Sequence, residues 1–195
     1  MARVGRDLSG AKVMIGSELG IPGAFLIKLP KSEDLRGAGL GLFRQDAVSS
    51  IAGVSFVAAK SSMLRNHFGT LRGLHLAQHS QQTKVVTCVN GRIRDALVDC
   101  RSDSPTFGRS VVVDCLGSSP SAVICPPGVA HGFVSLEPDS IVILTVDVYF
   151  DSVPEKVVNA FDTDLGIDWL IPENECIRSE RDRSAPAYQD VDFGQ

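Results

Sequence analysis

The stretch KVVTCVNGRIRDALVDC, residues 84–100, decides the fold class of this chain. Two runs rich in β-branched and apolar residues, 84–89 and 92–100, flank Asn90-Gly91, a dipeptide typical of a tight hairpin turn. We therefore predict that the two runs pair as antiparallel strands. Shorter runs of the same kind continue to residue 150, separated by turns rich in Gly, Pro, Asp and Ser. Because the intervals are too short for crossover helices, the sequence predicts an all-β sandwich or barrel.

The length and composition fit one domain with its own core. The chain has 195 residues, of which 44% are hydrophobic, and its mean hydropathy is +0.10. A chain of this size can enclose a cavity but is short for two domains. We predict an N-terminal tail at 1–20, a single domain at 21–195 and a short helix at 44–52.

Charge and hydropathy exclude several functional classes. A net charge of -4 with scattered Lys and Arg provides no basic surface for nucleic acid. The chain lacks an apolar run approaching the roughly 20 residues of a membrane span, and its first 20 residues contain no signal-type apolar block. Its five cysteines form no CxxC pair and are expected to be reduced thiols. We expect a soluble, cytoplasmic protein.

Two histidines lie in strand-like contexts, in Arg72-Gly-Leu-His75 and in Ala130-His-Gly-Phe133. Imidazole suits proton transfer near neutral pH, although a histidine in a strand can also be a hydrogen-bonded core residue. Together with His79, the two could instead hold a metal. Residues 75 and 79 share a strand face but lie two pleats apart, so we do not predict a metal site.

Several ordered motifs resemble the dTDP-4-dehydrorhamnose 3,5-epimerase family of cupin-type proteins, over about residues 22–191. The resemblance is carried by Arg72-Gly-Leu-His75, Lys84, Asp95, Asp99, Ser104-Pro-Thr-Phe-Gly108, Pro126-Pro-Gly128, Ala130-His-Gly-Phe133, Gly166-Ile-Asp-Trp169 and Ser179-Glu-Arg-Asp-Arg-Ser-Ala-Pro186. It implies a double-stranded β-helix, or jelly roll, with a few short helices at the ends. It also implies a homodimer that binds a nucleotide-linked 4-keto-6-deoxyhexose without metal or organic cofactor.

The resemblance further implies roles for six residues. The C4 ketone of such a sugar acidifies the C–H bonds at C3 and C5, so the enzyme needs a base, an oxyanion stabiliser and an acid. The implied roles are base for His75, its orienting carboxylate for Asp168, cavity lining for Lys84 and His131, and contacts to sugar and diphosphate for Arg72 and Arg36. Simpler roles remain open: a surface position for Lys84 or Arg36, packing against Phe133 for His131, and turn closure for Asp168.

The chain also departs from the family pattern. Thirteen residues after His131, where the family has its general-acid tyrosine, stands Leu144. Tyr149 lies an odd number of residues further on and points to the opposite face of a regular strand. Gly41 and the segment 60–64 replace further polar residues of the family.

We therefore expect an isomerase that abstracts a proton next to the C4 ketone through a His75–Asp168 dyad. Because the acid is missing, epimerisation at one carbon, C3 or C5, is favoured over double inversion, in the biosynthesis of deoxysugars or antibiotics. A second hypothesis is an isomerase, cyclase or dehydratase of an apolar secondary metabolite on the same fold. A third is a non-catalytic binding subunit.

Overall fold

The computed structural model describes residues 2–4, 14–53, 55–77, 82–149 and 154–193, with only the backbone described at 2–4. In chain order the strands are β1 (Ala2–Val4), β2 (Ile15–Glu18), β3 (Phe25–Lys28), β4 (Lys31–Asp34), β5 (Gly37–Leu40), β6 (Lys60–Asn66), β7 (Leu71–Ala77), β8 (Lys84–Asn90), β9 (Arg92–Asp99), β10 (Ser110–Leu116), β11 (Ser121–Cys125), β12 (Val129–Ser135), β13 (Ser140–Val146) and β14 (Glu155–Val157). The α-helices are α1 (Gln45–Ala52) and α2 (Glu180–Arg183), and single 3₁₀ turns lie at Thr163–Leu165, Glu173–Glu175 and Tyr188–Asp190.

Two antiparallel sheets face each other. A seven-stranded sheet has the order β1-β2-β3-β11-β8-β13-β6, and a five-stranded sheet has the order β10-β9-β12-β7-β14. Strands β4 and β5 form a separate ribbon. This arrangement confirms the predicted all-β jelly roll with short helices. Within the predicted tail, residues 2–4 and 15–18 extend the larger sheet as β1 and β2.

The predicted hairpin at residues 84–100 is wrong. Strand β8 pairs with β11 and β13, whereas β9 pairs with β10 and β12 in the opposite sheet. The Asn90-Gly91 turn, with Gly91 at φ 73°, therefore carries the chain from one sheet to the other. The reason lies in the core: Val86 and Cys88 of β8 pack in the same buried cluster as Ile93 and Leu97 of β9. Burying these apolar side chains between the layers is favoured over placing the two strands side by side.

Two further apolar clusters cover the outer faces of the two sheets. Helix α1, within the range predicted from the sequence, buries Val48 and Ile51 against Phe25 and Ile27 of β3. On the other sheet, Trp169 is 2% exposed, and its indole Nε1 donates to the Ala160 carbonyl over 2.7 Å. The tryptophan therefore anchors the C-terminal segment to the five-stranded sheet.

Asp99 holds the loop that joins β9 to β10. Its carboxylate accepts hydrogen bonds from Arg101, Ser104 and Thr106 at 2.6–2.8 Å. Burial alone would raise the pKa of Asp99, but these donors outweigh it and lower the pKa from 3.8 to about 2.

The cysteines are unpaired in the structure, and four of the five are buried. Burial raises the pKa of Cys88 to about 11 and that of Cys125 to about 12, so both remain neutral thiols near pH 7. No helix among the described residues is long and apolar enough to cross a membrane.

Strands β7 and β12 approach each other unusually closely in the five-stranded sheet. A Cβ added to Gly132 would lie 2.8 Å from the Arg72 carbonyl oxygen and 3.0 Å from Gly73 Cα. Just beyond this contact, His131 of β12 is the register partner of His75 of β7. The two glycines thus allow the backbones that carry the two histidines to lie side by side.

Candidate active site

A cavity of about 620 Å³ lies between the two sheets. A volume of this size suits a small organic ligand. The walls come from strands of both sheets and from the C-terminal segment beside β7. The lining residues are Lys60, Ser62, Leu64, Arg65, His67, Thr70, Leu71, Arg72, His75, Lys84, Val86, His131, Phe133, Val142, Leu144, Glu155, Ile177, Arg178, Ser179 and Asp182.

The carboxylate beside His75 belongs to Asp182. Its Oδ1 lies 2.8 Å from His75 Nε2, and the Asp182 side chain is 5% exposed. Ser179 fixes this residue, because its hydroxyl caps α2 by accepting from the Asp182 backbone N–H over 3.1 Å. Burial alone would raise the pKa of Asp182, but the hydrogen bond and charge of His75 outweigh it and lower the pKa below its ordinary value. The His75–Asp182 pair is therefore an imidazole with a permanently ionised partner near neutral pH.

The expected partner, Asp168, does not contact His75. Its side chain is 74% exposed and lies 3.7 Å from Arg94 Nη1. Its Oδ1 accepts from the Leu170 backbone N–H over 2.9 Å, which is the alternative role of turn closure. The physical reason is the neighbouring Trp169, whose burial directs the adjacent carboxylate outward. The spacing Ser179-x-x-Asp182, inside a motif that the sequence already singled out, predicts a helix start and thus a fixed position for this aspartate, but not its contact with His75.

A second histidine–aspartate pair lies next to the first. His131 Nε2 is 2.7 Å from Asp95 Oδ2, with exposed side-chain fractions of 7% and 0%. Asp95 Oδ1 has no hydrogen-bond partner among the described residues. Asp95 is the register partner of Phe133, two residues along β12 from His131, so its carboxylate and the imidazole lie on the same face of the sheet. His131 therefore presents a fixed imidazole beside His75.

Lys84 is buried at the floor of the cavity. Its residue is 3% exposed, and its Nζ donates to the His75 carbonyl oxygen over 2.9 Å. Glu155 Oε1 lies 4.0 Å from the same Nζ. Burial lowers the pKa of Lys84, while the nearby charge of Glu155 acts in the opposite direction. The structure therefore places Lys84 inside the site and not on the surface.

The two arginines predicted from the sequence occupy different places. Arg72 lines the cavity, and its Nε donates to Asn66 Oδ1 over 2.9 Å. Arg36 has a side chain 89% exposed, pairs with Asp34 at 2.6 Å and is not among the residues lining the cavity. Within this chain, Arg36 is therefore separate from the candidate site.

The wall that carries Leu144 is apolar. Leu144 is the register partner of Ser62 on one side and of Val86 on the other. Leu64 and Val142 complete this surface. Neither tyrosine of the chain replaces the missing acid, because Tyr149 is 58% exposed, Tyr188 donates its hydroxyl to the Asp99 carbonyl, and neither lines the cavity. The only hydroxyl beside Leu144 on this wall, within the described residues, is that of Ser62.

Cations outnumber anions in the lining. Five lining residues are Lys or Arg, against two carboxylates, Asp182 and Glu155. Asp182 is bound to His75, and Glu155 Oε2 lies 3.4 Å from Arg181. The excess positive charge favours an anionic ligand.

No metal-binding cluster occurs in the part of the chain that the structure describes, since no three His, Cys, Asp or Glu side chains are grouped to hold an ion. His79, considered above as a metal ligand, lies outside the described residues.

Comparison with known proteins gives consistent matches over nearly the whole chain. The sequence profile of the dTDP-4-dehydrorhamnose 3,5-epimerase family matches residues 18–190. A dTDP-4-dehydrorhamnose 3,5-epimerase of Mycobacterium tuberculosis is 34% identical over 182 residues, which cover 91% of this chain and 89% of that protein. A dTDP-4-dehydro-6-deoxyglucose 3-epimerase of Streptomyces bikiniensis is 34% identical over 170 residues, 86% of each chain.

A solved structure agrees with these sequence matches. It is the crystal structure of a dTDP-6-deoxy-D-glucose-3,5-epimerase from Legionella pneumophila in complex with dTDP-4-keto-L-rhamnose. It superposes with a TM-score of 0.85 at 28% identity, covering 92% of this chain and 95% of that one. The agreement therefore extends over both sheets and the C-terminal segment.

Proposed function

This chain belongs to the dTDP-4-dehydrorhamnose 3,5-epimerase family, and we propose that it epimerises a single carbon, C3 or C5, of a dTDP-4-keto-6-deoxyhexose. Membership makes it an epimerase of nucleotide sugars. The observation that carries the finer proposal is the His75–Asp182 pair facing an apolar wall at Leu144. The base side of the site has an imidazole with an ionised partner, whereas Leu144 and its neighbours Leu64, Val86 and Val142 on the opposite wall carry no ionisable proton donor.

In the proposed reaction His75 removes the proton from the carbon next to the C4 ketone. With Nε2 held by Asp182, Nδ1 is the ring nitrogen left to accept it. The C–H electron pair moves to the carbonyl oxygen and gives an enolate, while the ionised Asp182 stabilises the imidazolium. The buried amino group of Lys84, or the His131 ring, donates an N–H to the negative oxygen in a site of low dielectric constant.

Inversion requires a proton delivered to the other face of the enolate. At the apolar wall this proton comes from water, and the Ser62 hydroxyl beside Leu144 is the polar group placed to hold such a water. Delivery by water is slower than delivery by a positioned acid, which favours turnover at one carbon over two. The Streptomyces bikiniensis relative, named a 3-epimerase, shows that the family includes proteins named for action at one carbon.

The cationic lining supports recognition of the diphosphate. Arg72 has its Nε engaged by Asn66, which leaves the terminal nitrogens of a planar guanidinium for phosphate oxygens. We place the sugar nearer His75, three residues further along β7.

A second candidate follows from the apolar wall of Leu64, Val86, Val142 and Leu144. The same base could act on an apolar secondary metabolite as an isomerase, cyclase or dehydratase. The cationic lining favours the nucleotide sugar, and stabilisation of the protein by dTDP in a thermal-shift measurement distinguishes the two substrates. A non-catalytic binding subunit would be stabilised by dTDP but would not exchange protons.

Deuterium exchange tests the proposal. Purified protein is incubated with dTDP-4-keto-6-deoxyglucose in D₂O, and the product is analysed by NMR. We expect deuterium at C3 or at C5, and its loss in His75→Gln, which keeps a polar side chain of similar length. Deuterium at neither carbon excludes the proposed activity, and rapid incorporation at both excludes the single-centre assignment.

We also propose a homodimer. Strand β6 is an edge of the larger sheet and exposes Met63 at 68%. An open edge with an exposed apolar side chain favours pairing with a second copy. Light scattering coupled to gel filtration would give twice the chain mass, and a monomer at micromolar concentration would contradict the proposal.

A further inference from the structure

The cavity wall on the seven-stranded sheet is built from register partners on β8, β13 and β6. Register partners point to the same side of a sheet, and so do residues two apart along a strand. The inward-facing side chains form two adjacent rows, namely Val86, Leu144 and Ser62, and then Cys88, Val142 and Leu64. All of them except Cys88 line the cavity. Ser62 is the single polar side chain in the two rows, so most of this wall cannot form hydrogen bonds with a ligand.

An aromatic side chain of the facing sheet extends this surface. Phe133 of β12 is 3% exposed and lines the cavity. It belongs to the same buried cluster as Val86 and Val142, and Leu144 packs against that cluster. The centroid of the Phe133 ring lies 6.4 Å from that of the His131 ring. We define the apolar region as Leu64, Val86, Phe133, Val142 and Leu144. It therefore begins beside an imidazole of the site and includes side chains of both sheets.

The polar groups beside the apolar region already have roles in the proposed reaction. Lys84 or His131 donates to the C4 oxygen, and the Ser62 hydroxyl holds the water that returns the proton. A ligand hydroxyl placed against the apolar region would therefore lose its hydrogen bonds to water without gaining a partner. Such a loss weakens binding, whereas a C–H group at the same position gains from contact with apolar side chains.

A 4-keto-6-deoxyhexose linked to a nucleotide carries ring hydroxyls at C2 and C3. Loss of the C3 hydroxyl leaves a CH₂ group at C3, which has no configuration to invert. Loss of the C2 hydroxyl leaves C3 and C5 as stereocentres, each next to the C4 ketone and each with an acidic C–H bond. A substrate without the C2 hydroxyl is therefore compatible with epimerisation at either carbon.

We propose that the substrate is a dTDP-linked 4-keto-2,6-dideoxyhexose, whose C2 methylene lies against Leu144 and Leu64. This inference rests on the proposed function, because it specifies the sugar that the same site accepts. Leu144 is then a specificity-determining residue as well as the residue at the position of the missing acid. The C2 hydroxyl must be removed by an enzyme that acts before this one, since the proposed epimerisation leaves C2 unchanged.

Calorimetric titration with two unreactive ligands tests the inference without depending on turnover. The ligands are dTDP-6-deoxyglucose and dTDP-2,6-dideoxyglucose, which have a hydroxyl instead of the ketone at C4 and differ from each other only at C2. We expect the protein to bind the dideoxy ligand about 10- to 100-fold more tightly, because the apolar region leaves the C2 hydroxyl of the other ligand without a partner.

A variant locates this preference in the cavity. Leu144→Asn places an amide of similar size in the apolar region and should reduce the preference by about tenfold. Ile143→Asn is the matched control, because Ile143 is the neighbouring residue of β13, points to the other face of the sheet and does not line the cavity. The control should keep the wild-type preference. Should Leu144→Asn fail to fold, Leu64→Asn on the edge strand β6 takes its place, with the same expected result.

Three results would overturn the inference: binding of neither ligand, equal or tighter binding of dTDP-6-deoxyglucose by the wild type, or an unchanged preference in Leu144→Asn or its replacement. The deuterium experiment reports separately on the proposed function. Exchange into dTDP-4-keto-6-deoxyglucose without a preference for the dideoxy ligand would reject only the inference about C2. A preference for the dideoxy ligand without exchange into either 4-keto sugar, with or without the C2 hydroxyl, would reject only the epimerase proposal.

Discussion

Replacing Asp182 by Asn is expected to slow proton abstraction by about 10- to 100-fold while the protein stays folded. The two partners lie 2.8 Å apart, and the Asp182 side chain is 5% exposed, so solvent screens their interaction little. A hydrogen bond to a charged group contributes about 1.5–3 kcal/mol, and about 1.4 kcal/mol corresponds to a factor of ten in rate. Asn keeps the shape and one oxygen but has no charge to stabilise the imidazolium that forms on His75.

The rate to measure is deuterium incorporation into dTDP-4-keto-6-deoxyglucose at saturating substrate, followed by mass spectrometry. Asp168→Asn is the matched control, because this carboxylate is 74% exposed and contacts Arg94 and the Leu170 backbone, not His75. Surface substitutions of this kind change a free energy by about 0.5 kcal/mol or less, which is about twofold in rate. A larger loss in Asp168→Asn than in Asp182→Asn would refute the assignment of the orienting carboxylate.

Three further changes test other parts of the structure. Leu144→Tyr is expected to leave deuterium at one carbon, because the polar residues of segment 60–64 differ as well; NMR showing exchange at both carbons would contradict this. Gly132→Ala should destabilise the protein by about 1–3 kcal/mol, measured by urea unfolding, because the new Cβ meets the backbone of Arg72 and Gly73. Asp99→Asn should remove about 1–2 kcal/mol of stability at pH 7, allowing for solvent screening. Since the pKa of Asp99 is lowered to about 2, its contribution is present above pH 4 and is lost as the pH falls towards 2; equal unfolding midpoints of Asp99→Asn and wild type at pH 7 would contradict it.

Local patterns predicted which segments are strands, but not how all of them pair. Alternation and turn residues located β8 and β9 correctly, because these signals depend on neighbours in the chain. The pairing of β8 with β11 and β13 depends on contacts that are distant in sequence. An Asn-Gly turn is compatible both with a hairpin and with a corner between sheets, and only the shared core of Val86 and Ile93 distinguishes them.

The candidate site was predicted in part for a similar reason. His75, His131, Lys84 and Arg72 all line the cavity. These residues lie on strands of the jelly roll, whose alternation fixes which side chains point inward. The carboxylate partner comes from an irregular C-terminal segment, where no periodicity distinguishes the buried Asp182 from an exposed aspartate.

The motif around Arg36 predicted a ligand contact, whereas the structure places this side chain at the surface. It lies in the turn between β4 and β5, and its charge is satisfied by Asp34 two residues away. The pattern of apolar residues along the chain does not predict a local ion pair of this kind.

The hydrogen bond from Lys84 to the His75 carbonyl gives the lysine a structural role as well as an electrostatic one. Lys84 belongs to the seven-stranded sheet and His75 to the five-stranded sheet, so this hydrogen bond connects the two sheets beside the cavity. The hydrogen bond therefore helps to fix the separation of the two sheets beside His75. Loss of this hydrogen bond would allow the two sheets to shift relative to each other. The activity lost in a Lys84→Met variant would therefore combine the loss of a polar group with a change in the shape of the cavity.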